Sequence, residues 1–323
     1  MIDVHAHALP AAYRSMIIAQ GRALPGMPAS PLTPVARFPL APIGDGPEDI
    51  ATRLSLMGEA GITTQLLSPT AAPYFDDPAT AASAAQIANE SFASIASSAL
   101  DRFRFFVSLP LPHIKESIVE MGRALSLPGA VGITMECFCG SLSVADPHFD
   151  PLYEEMNERG VLLFLHPCLN GLCSHLINDW GLVSAGGATM EDAVLAMHFI
   201  VRGIPIRFPN IRIIMPHLGG GIASSLKRLD NQLPYFVELA ERPSVTARRM
   251  WYDSCCHGSA IALRAAVDAF GPDRILPGSD YPFLTLHEPY GASFSFMDDS
   301  GVSAADLKAI RHANVVELLG QNA

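Results

Sequence analysis

Two histidines near the N-terminus have the types and spacing that most directly suggest chemistry. They are His5 and His7, in the run IDVHAH at residues 2–7. Side chains in a β-strand alternate between its two faces, so both imidazoles are expected on the same side. Two imidazoles on one face at the end of a strand can bind one divalent metal ion. The motif therefore predicts a metal site on the first strand.

Three further potential ligands follow other predicted strands. His166 ends the run FLH, His217 follows IIMP, and Asp280 lies within GSDYPF. In a parallel α/β barrel the carboxyl ends of the strands lie on one side, where active sites are found. Imidazoles together with a carboxylate suit Zn²⁺, Mn²⁺ or Fe²⁺ better than Ca²⁺ or Mg²⁺. The set predicts a catalytic metal site with a position left open for water or substrate.

The elements that must position these residues alternate along the chain. The predicted strands span residues 2–7, 62–68, 103–109, 130–136, 161–166, 211–216, 250–254 and 274–279. The predicted helices span residues 48–60, 79–100, 113–126, 148–159, 190–203, 222–241, 258–270 and 303–319. This alternation predicts an α/β fold, a (β/α)8 TIM barrel, with a doubly wound open sheet as the alternative. The open sheet usually has a glycine-rich turn after its first strand, where this chain has HAHALP.

Two segments are longer than a minimal barrel needs. Residues 21–47 are rich in proline and glycine and predict a long loop or small hairpin inserted after strand one. Residues 167–189 predict a second long loop, after strand five, that contains Trp180. Long loops of this kind commonly form lids and substrate walls. Because no linker divides the chain, we expect residues 1–323 to form one domain.

Composition and charge narrow the classes of function. Hydrophobic residues make up 49% of the chain and charged residues 16%, which is enough apolar material for a large core. A net charge of -11 disfavours nucleic acid and anionic membranes as partners, because both require basic surfaces. No apolar run has the length of a membrane span, and the polar residues within positions 2–7 predict no signal peptide. We therefore expect a cytoplasmic protein.

The six cysteines do not indicate a disulfide framework; they are Cys137, Cys139, Cys168, Cys173, Cys255 and Cys256. The spacings Cys-x-Cys at 137–139 and Cys-x4-Cys at 168–173 leave a zinc site as an alternative. That alternative lacks the CxxC spacing of structural zinc sites. Buried thiols that pack as small apolar side chains are the preferred interpretation.

The motifs together resemble the amidohydrolase superfamily. The resemblance covers nearly the whole chain and rests on IDVHAH, FLHP, PHLGGG, YDSCCH, GSDYPF and the terminal NVVELL. More narrowly, the chain resembles the family that contains 2-amino-3-carboxymuconate-6-semialdehyde decarboxylase and the 6-methylsalicylate, γ-resorcylate and 5-carboxyvanillate decarboxylases. The superfamily's metal-bridging lysine is expected at the end of strand four, where this chain has Glu136 and Cys137. Its absence implies one metal ion rather than two.

The resemblance implies roles for the residues of the predicted metal site. The implied metal ligands are His5, His7, His166 and Asp280. Zinc is the expected ion and manganese the main alternative. His217 is implied as the catalytic acid or base, or as a contact of the metal-bound water.

The resemblance also implies substrate-binding residues, each with a structural alternative. His257 is expected near the substrate or, alternatively, as a cap of the following helix. Arg228 is expected to hold a substrate carboxylate in a neighbouring subunit, which requires at least a homodimer; the alternative is a helix-surface charge. Phe283 and Trp180 are candidate apolar walls for a flat ring, or core residues.

The resemblance implies metal-dependent, non-oxidative decarboxylation of a small aromatic acid of the 2-hydroxybenzoate type, or of a dienoic acid. Asp280 would protonate the carbon that bears the carboxylate, and His217 would relay protons or stabilise the resulting intermediate. One alternative is hydrolysis of a lactone or amide by metal-activated water, and another is a non-catalytic metal-binding barrel. The substituents on the substrate ring stay open.

Overall fold

The structure, a computed structural model, describes residues 1–21 and 40–320. Most of the predicted insertion at 21–47 therefore lies outside the described residues. Before it, the chain forms a helix at Ala11–Ala19 that the sequence analysis did not predict. Tyr13 and Ile17, one helical turn apart, pack in a buried cluster with Leu9, Ala84 and Ala88.

The eight predicted strands are all present: β1 Ile2–Ala8, β2 Thr64–Pro69, β3 Phe103–Ser108, β4 Ala130–Glu136, β5 Leu162–His166, β6 Arg212–Met215, β7 Trp251–Asp253 and β8 Ile275–Leu276. Helices of ten or more residues span Pro47–Glu59, Pro78–Ser98, Ile114–Ala124, Asp150–Arg159, Ala188–Arg202 and Ala260–Phe270. Shorter helices span Ala11–Ala19, His175–Asn178, Ile204–Arg207, Leu226–Gln232, Pro243–Ala247, Ala292–Ser295, Ala304–Lys308 and Asn314–Leu319. This alternation of parallel strands and helices confirms the predicted (β/α)8 fold class.

The chain divides into two compact units, of which the first comprises Met1–Thr134 and Pro277–Phe296. Here β1 pairs with β2, β2 with β3 and β3 with β4, all in parallel. His7 on β1 is in register with Ser68 on β2. The strands are almost continuously buried, as expected for a parallel sheet covered on both faces.

The second unit comprises Met135–Leu276 and Met297–Ala323. Here β5 pairs with β6, β6 with β7 and β7 with β8, again in parallel. The ring of Tyr252 on β7 stacks on Phe270 of the Ala260–Phe270 helix, with centroids 3.7 Å apart. This contact anchors a helix to a strand of its own unit.

The predicted helix at 222–241 is wrong as a single element. Ile222–Ser225 forms a 3₁₀ turn, Leu226–Gln232 is a short helix, and a second 3₁₀ turn covers Leu233–Tyr235. Pro234 has no backbone N–H to donate and its ring clashes with the preceding turn, so the helix ends before it.

None of the helices in the described residues combines the length and the hydrophobicity needed to cross a membrane. The cytoplasmic location and the single-domain organisation stay predictions.

Candidate metal centre

Three of the predicted ligands converge in the first unit. His5 and His7 are fully buried on β1, and their Nε2 atoms are 3.1 Å apart. The Oδ1 atom of Asp280 lies 3.0 Å from His7 Nε2 and 3.5 Å from His5 Nε2. This confirms that the two imidazoles share one face of the strand. Two imidazole nitrogens and a carboxylate oxygen form a donor set that fits a divalent transition metal.

Backbone and side-chain contacts fix the direction of these ligands. His7 Nδ1 hydrogen-bonds with the hydroxyl of Ser68 at 3.0 Å, which leaves Nε2 as the nitrogen that faces His5 and Asp280. Asp280 has a φ of 56°, in the left-handed region that non-glycine residues rarely adopt. Its backbone N–H donates to the carbonyl of His5 at 2.9 Å, so the turn after β8 is tied directly to β1.

A buried carboxylate, Asp3, is in register with Gln65 of β2 and ties the ligand strand to its surroundings. Its oxygens accept hydrogen bonds from the hydroxyls of Ser279 and Tyr290, both at 2.7 Å, and from Gln65 Nε2 at 3.3 Å. The backbone N–H groups of His5 and Ser279 donate to the other oxygen. Burial raises the pKa of Asp3, although these hydrogen bonds oppose the increase.

Arg53 adds a buried cation to this group, which we call the Asp3 network: Asp3, Arg53, Gln65, Ser279 and Tyr290. Its guanidinium donates to the carbonyl of His7 at 2.8 Å and to Gln65 Oε1 at 3.1 Å. The guanidinium also lies over the ring of Tyr281, 4.3 Å from its centroid. The network therefore contacts the backbone of both ligand histidines and of the turn that carries Asp280.

The remaining predicted histidines, His166 and His217, lie together in the second unit. His166 ends β5, and its Nδ1–H donates to the carbonyl of Pro167 at 2.9 Å. His217 lies two residues after the end of β6, and the two rings have centroids 5.9 Å apart. With its Nδ1 bound to a carbonyl, His166 has Nε2 available as the ligand atom.

His217 is oriented by a carboxylate that the sequence analysis missed. Its Nδ1–H donates to Asp192 Oδ2 at 2.8 Å, and its backbone N–H donates to Asp253 Oδ1 at 3.2 Å. Asp192 is fully buried, and burial raises its pKa to about 6 although His217 opposes this effect. The ring of His217 is thereby held with Nε2 as its second functional nitrogen.

The PHLGGG turn brings His217 against the helix that carries Asp192. His217 itself has a φ of 49°, and Gly220 has a φ of 62°. A Cβ atom at Gly220 would collide with the backbone of Thr189 and Ala193 in the Ala188–Arg202 helix. Glycine at this position therefore permits the close approach of the turn to the helix.

The cysteines agree only in part with the preferred interpretation: Cys137 and Cys255 are buried, Cys139, Cys168 and Cys256 are partly buried, and Cys173 is exposed. All six are free, and the groups of potential metal ligands in the described part of the chain include none of Cys137, Cys139, Cys168 and Cys173. Burial raises the pKa values of Cys137 and Cys168, so both stay protonated. Their thiols donate to Asp192 and to Glu191, respectively.

The predicted substrate-binding residues have different surroundings. Phe283 is partly buried, and its ring lies 5.6 Å from that of His7. Arg228 and His257 are exposed, the latter in a turn with a φ of 50°. The cap of the following helix is Ser259, not His257. Trp180 is 76% exposed, which rules out core packing.

Four acidic residues of these surroundings were missed: Asp3, Glu191, Asp192 and Asp253. Period-two alternation could not have placed Asp3, because the register of β1 shifts between Asp3 and Ala6. Glu191 and Asp192 lie near the start of a helix, where acidic residues commonly interact with the helix dipole at the surface. Both are instead fully buried.

Comparison with known proteins gives a family match over almost the whole chain. The model of the amidohydrolase family matches residues 2–321. A curated relative, 6-methylsalicylic acid decarboxylase from Penicillium expansum, is 28% identical over 290 residues, which are 87% of this chain and 84% of the relative.

Solved structures share the fold. A 2,6-dihydroxybenzoate decarboxylase in complex with 2,6-dihydroxybenzoate has a TM-score of 0.82 and 23% identity, covering 99% of both chains. A dihydroxybenzoic acid decarboxylase from Polaromonas sp. JS666, with bound manganese and 2-nitroresorcinol, has a TM-score of 0.82 and 23% identity, covering 100% of this chain and 97% of the other. The chain therefore belongs to the amidohydrolase family, and it resembles that family's decarboxylases, as the sequence motifs implied.

Proposed function

We propose that the protein is a metal-dependent carboxy-lyase that releases CO2 from a small aromatic acid with a hydroxyl group beside the carboxylate. The proposed metal ligands are His5, His7, His166 and Asp280. The donor set of His5, His7 and Asp280 supports a metal site. Decarboxylation rather than another reaction is supported by one observation, the match to 6-methylsalicylic acid decarboxylase along 87% of this chain.

Asp280 is the proposed proton donor. His5, His7, His166 and Asp280 would hold a divalent ion, which would supply positive charge to bind and stabilise an anionic aromatic acid. The Asp280 carboxyl gives its proton to the ring carbon that bears the carboxylate. The bond between that carbon and the carboxylate then breaks, its electron pair restores the aromatic ring, and CO2 leaves.

His217 is the proposed partner in proton transfer. Asp192 accepts its Nδ1–H, so Nε2 is the nitrogen that exchanges a proton with the substrate. A buried carboxylate at Nδ1 also stabilises the imidazolium whenever Nε2 is protonated. The pair therefore lets His217 gain and lose a proton without reorienting its ring.

Phe283 is the proposed apolar wall for the substrate ring. It is partly buried and lies beside the His7 ligand, at a centroid distance of 5.6 Å. A flat aromatic acid needs such a surface next to its polar anchor. His257 and Trp180 are proposed to lie at the outer, solvent-accessible part of the substrate site.

The reaction can be tested directly. The purified protein, loaded with metal, is incubated with salicylate, 6-methylsalicylate, 2,6-dihydroxybenzoate and 5-carboxyvanillate, and in parallel with simple lactones. We expect CO2 from at least one aromatic acid and, in D2O, one deuterium at the carbon that lost the carboxylate. Lactone hydrolysis without CO2 release would instead identify the protein as a hydrolase.

For the metal we propose a single divalent ion, with zinc as the first candidate because imidazole-rich sites favour it. Manganese is the main alternative, and it is bound in the related structure from Polaromonas. Elemental analysis of the purified protein, followed by chelation and reloading with each metal, identifies the ion that restores activity. One equivalent per chain is expected, whereas two would contradict a mononuclear site.

We also propose a homodimer in which Arg228 binds the substrate carboxylate in the partner's site. Arg228 is exposed on the Leu226–Gln232 helix. Tyr235 and Phe236, which follow this helix, are 84% and 81% exposed. Large apolar side chains this exposed commonly mark an interface. Sedimentation of the wild type and of a Tyr235→Ser, Phe236→Ser variant tests the dimer, and a fully active monomer would refute the shared site.

A further inference from the structure

The loop that follows β5, residues 167–187, is held by one buried carboxylate. Glu191 is fully buried near the start of the Ala188–Arg202 helix. Its Oε2 accepts the backbone N–H of Cys168 at 2.8 Å and of Leu169 at 3.1 Å, and its Oε1 accepts that of Gly171 at 2.9 Å. Three backbone N–H groups therefore converge on one side chain, which fixes the backbone at the start of the loop.

One peptide group connects Glu191 to the candidate ligand His166. The carbonyl of Pro167 accepts the Nδ1–H of His166 at 2.9 Å. The N–H of the same peptide, on Cys168, donates to Glu191. Hydrogen bonds at both ends of a peptide polarise it and strengthen each other. The chain of contacts therefore runs from the Glu191 carboxylate, through one peptide, to the imidazole.

Three non-glycine residues of this loop have a backbone conformation that such residues rarely adopt. Leu169, Leu172 and Cys173 have φ values of 57°, 55° and 55°, in the left-handed region. This conformation is unfavourable for non-glycine residues, because their Cβ atom approaches the following carbonyl oxygen. The N–H groups that converge on Glu191 provide a compensating interaction, so the loop conformation depends on the acceptor.

We propose that Glu191 is a positioning residue for metal binding. Through the Pro167–Cys168 peptide it holds His166 with the proton on Nδ1 and the lone pair on Nε2. It contacts neither substrate nor metal itself. The inference rests on the role of His166 as a ligand in the proposed function. Such indirect partners of metal ligands typically alter metal affinity by about 10–100-fold.

The variant Glu191→Gln tests this role. Both carboxylate oxygens of Glu191 accept backbone N–H groups. The side-chain amide of a glutamine would place its own NH2 group against one of these N–H donors. We expect zinc to bind about 10–100-fold more weakly, measured in the apoprotein by competition with a chromophoric chelator. Glu191→Asp keeps the charge but shortens the side chain, and an intermediate affinity is expected.

The matched control is Asn178→Ala in the same loop. The Asn178 side chain is exposed and donates to the carbonyl of Asn170 at 3.2 Å, without contacting the Pro167–Cys168 peptide. We expect its zinc affinity to equal that of the wild type. Equal weakening in both variants would overturn the proposal, because the effect would then belong to the loop in general. Wild-type affinity in Glu191→Gln would overturn it as well.

A measurement on the wild type keeps the test independent of variant folding. Since the Cys168 amide joins Glu191 to the peptide that holds His166, its NMR resonance is expected to shift when zinc is titrated into the apoprotein. An unchanged resonance, or a wild-type chain that binds no zinc, would contradict the proposal. These readouts use no substrate, so a protein that binds zinc but releases no CO2 would refute only the proposed reaction.

Discussion

The two units support their candidate catalytic residues in different ways. In the first unit, Asp3 receives side-chain hydrogen bonds from residues far apart in the sequence, namely Gln65, Ser279 and Tyr290. In the second unit, the adjacent residues Glu191 and Asp192 on one helical turn serve a loop and a histidine, respectively. The first arrangement ties distant segments together, whereas the second orients individual groups. We therefore expect damage to the first to appear mainly in stability and damage to the second mainly in function.

The largest expected effect comes from Asp3→Ala. It leaves the buried hydroxyl of Tyr290 without its acceptor, at a cost of about 1–3 kcal/mol, and removes one of two acceptors from the Ser279 hydroxyl and the Gln65 amide. We expect the free energy of unfolding to fall by about 3–5 kcal/mol, in the range seen when a buried polar network is broken. Urea unfolding of the apoprotein measures the loss. A decrease as small as that of a surface substitution would contradict the contrast between the units.

Next in size is the effect of Asp192→Asn on catalysis. The asparagine carbonyl can still accept the Nδ1–H of His217, but the negative charge that stabilises the imidazolium is lost. We expect kcat to fall by about 10²-fold, the lower end of the range for general acid–base catalysis, with little change in stability. The control is Cys137→Ala, which removes only a weak thiol donor from Asp192. An equal loss of kcat in the control would contradict a specific role for the charge.

The sequence predicts a group of residues well when they lie on one strand or helix, and poorly when only tertiary packing brings them together. Period two along β1 predicts that His5 and His7 converge, because strand geometry alone dictates it. The burial of Glu191 and Asp192 cannot be predicted from the sequence, because acidic residues near the start of a helix usually lie at the surface. The convergence of the two proposed ligands on β1 was therefore predictable, whereas the buried carboxylates Glu191 and Asp192 were not. The predicted insertion at 21–47 lies mostly outside the described residues, so its role as a lid stays a prediction.

The pH dependence of kcat in the wild type is expected to show a smaller effect of the Asp192–His217 pair. Burial raises the pKa of Asp192 to about 6, so the group takes up a proton as the pH falls through that value. A protonated Asp192 cannot stabilise the imidazolium, and kcat is expected to decrease about fivefold from pH 6 to pH 5. Steady-state rates at constant ionic strength measure this decrease. If Asp192→Asn retained the same acid limb, another group would be responsible.

The smallest expected effect, from Tyr290→Phe, gives the sharpest view of the Asp3 network. Tyr290 donates to Asp3 at 2.7 Å and accepts from Gln65 Nε2 at 2.8 Å, while Asp3 retains the donors of Ser279. Burial raises the pKa of Tyr290, so its hydroxyl stays protonated and available as a donor. Removing the hydroxyl is expected to cost about 1 kcal/mol of unfolding free energy.

The matched control for this variant is Tyr13→Phe, which removes a buried hydroxyl that donates to the carbonyl of Ala71 at 2.7 Å, outside the network. Both variants are expected to lose similar stability in urea unfolding, because each loses one buried hydroxyl donor. Only Tyr290→Phe is expected to weaken zinc binding, because Asp3 also receives the backbone N–H groups of His5 and Ser279 beside the ligands. Equal zinc affinities in the two variants would mean that the Asp3 network supports the fold without adjusting the ligands. The Asp3 network of the first unit would then contribute only to stability, whereas Glu191 and Asp192 of the second unit would orient individual groups.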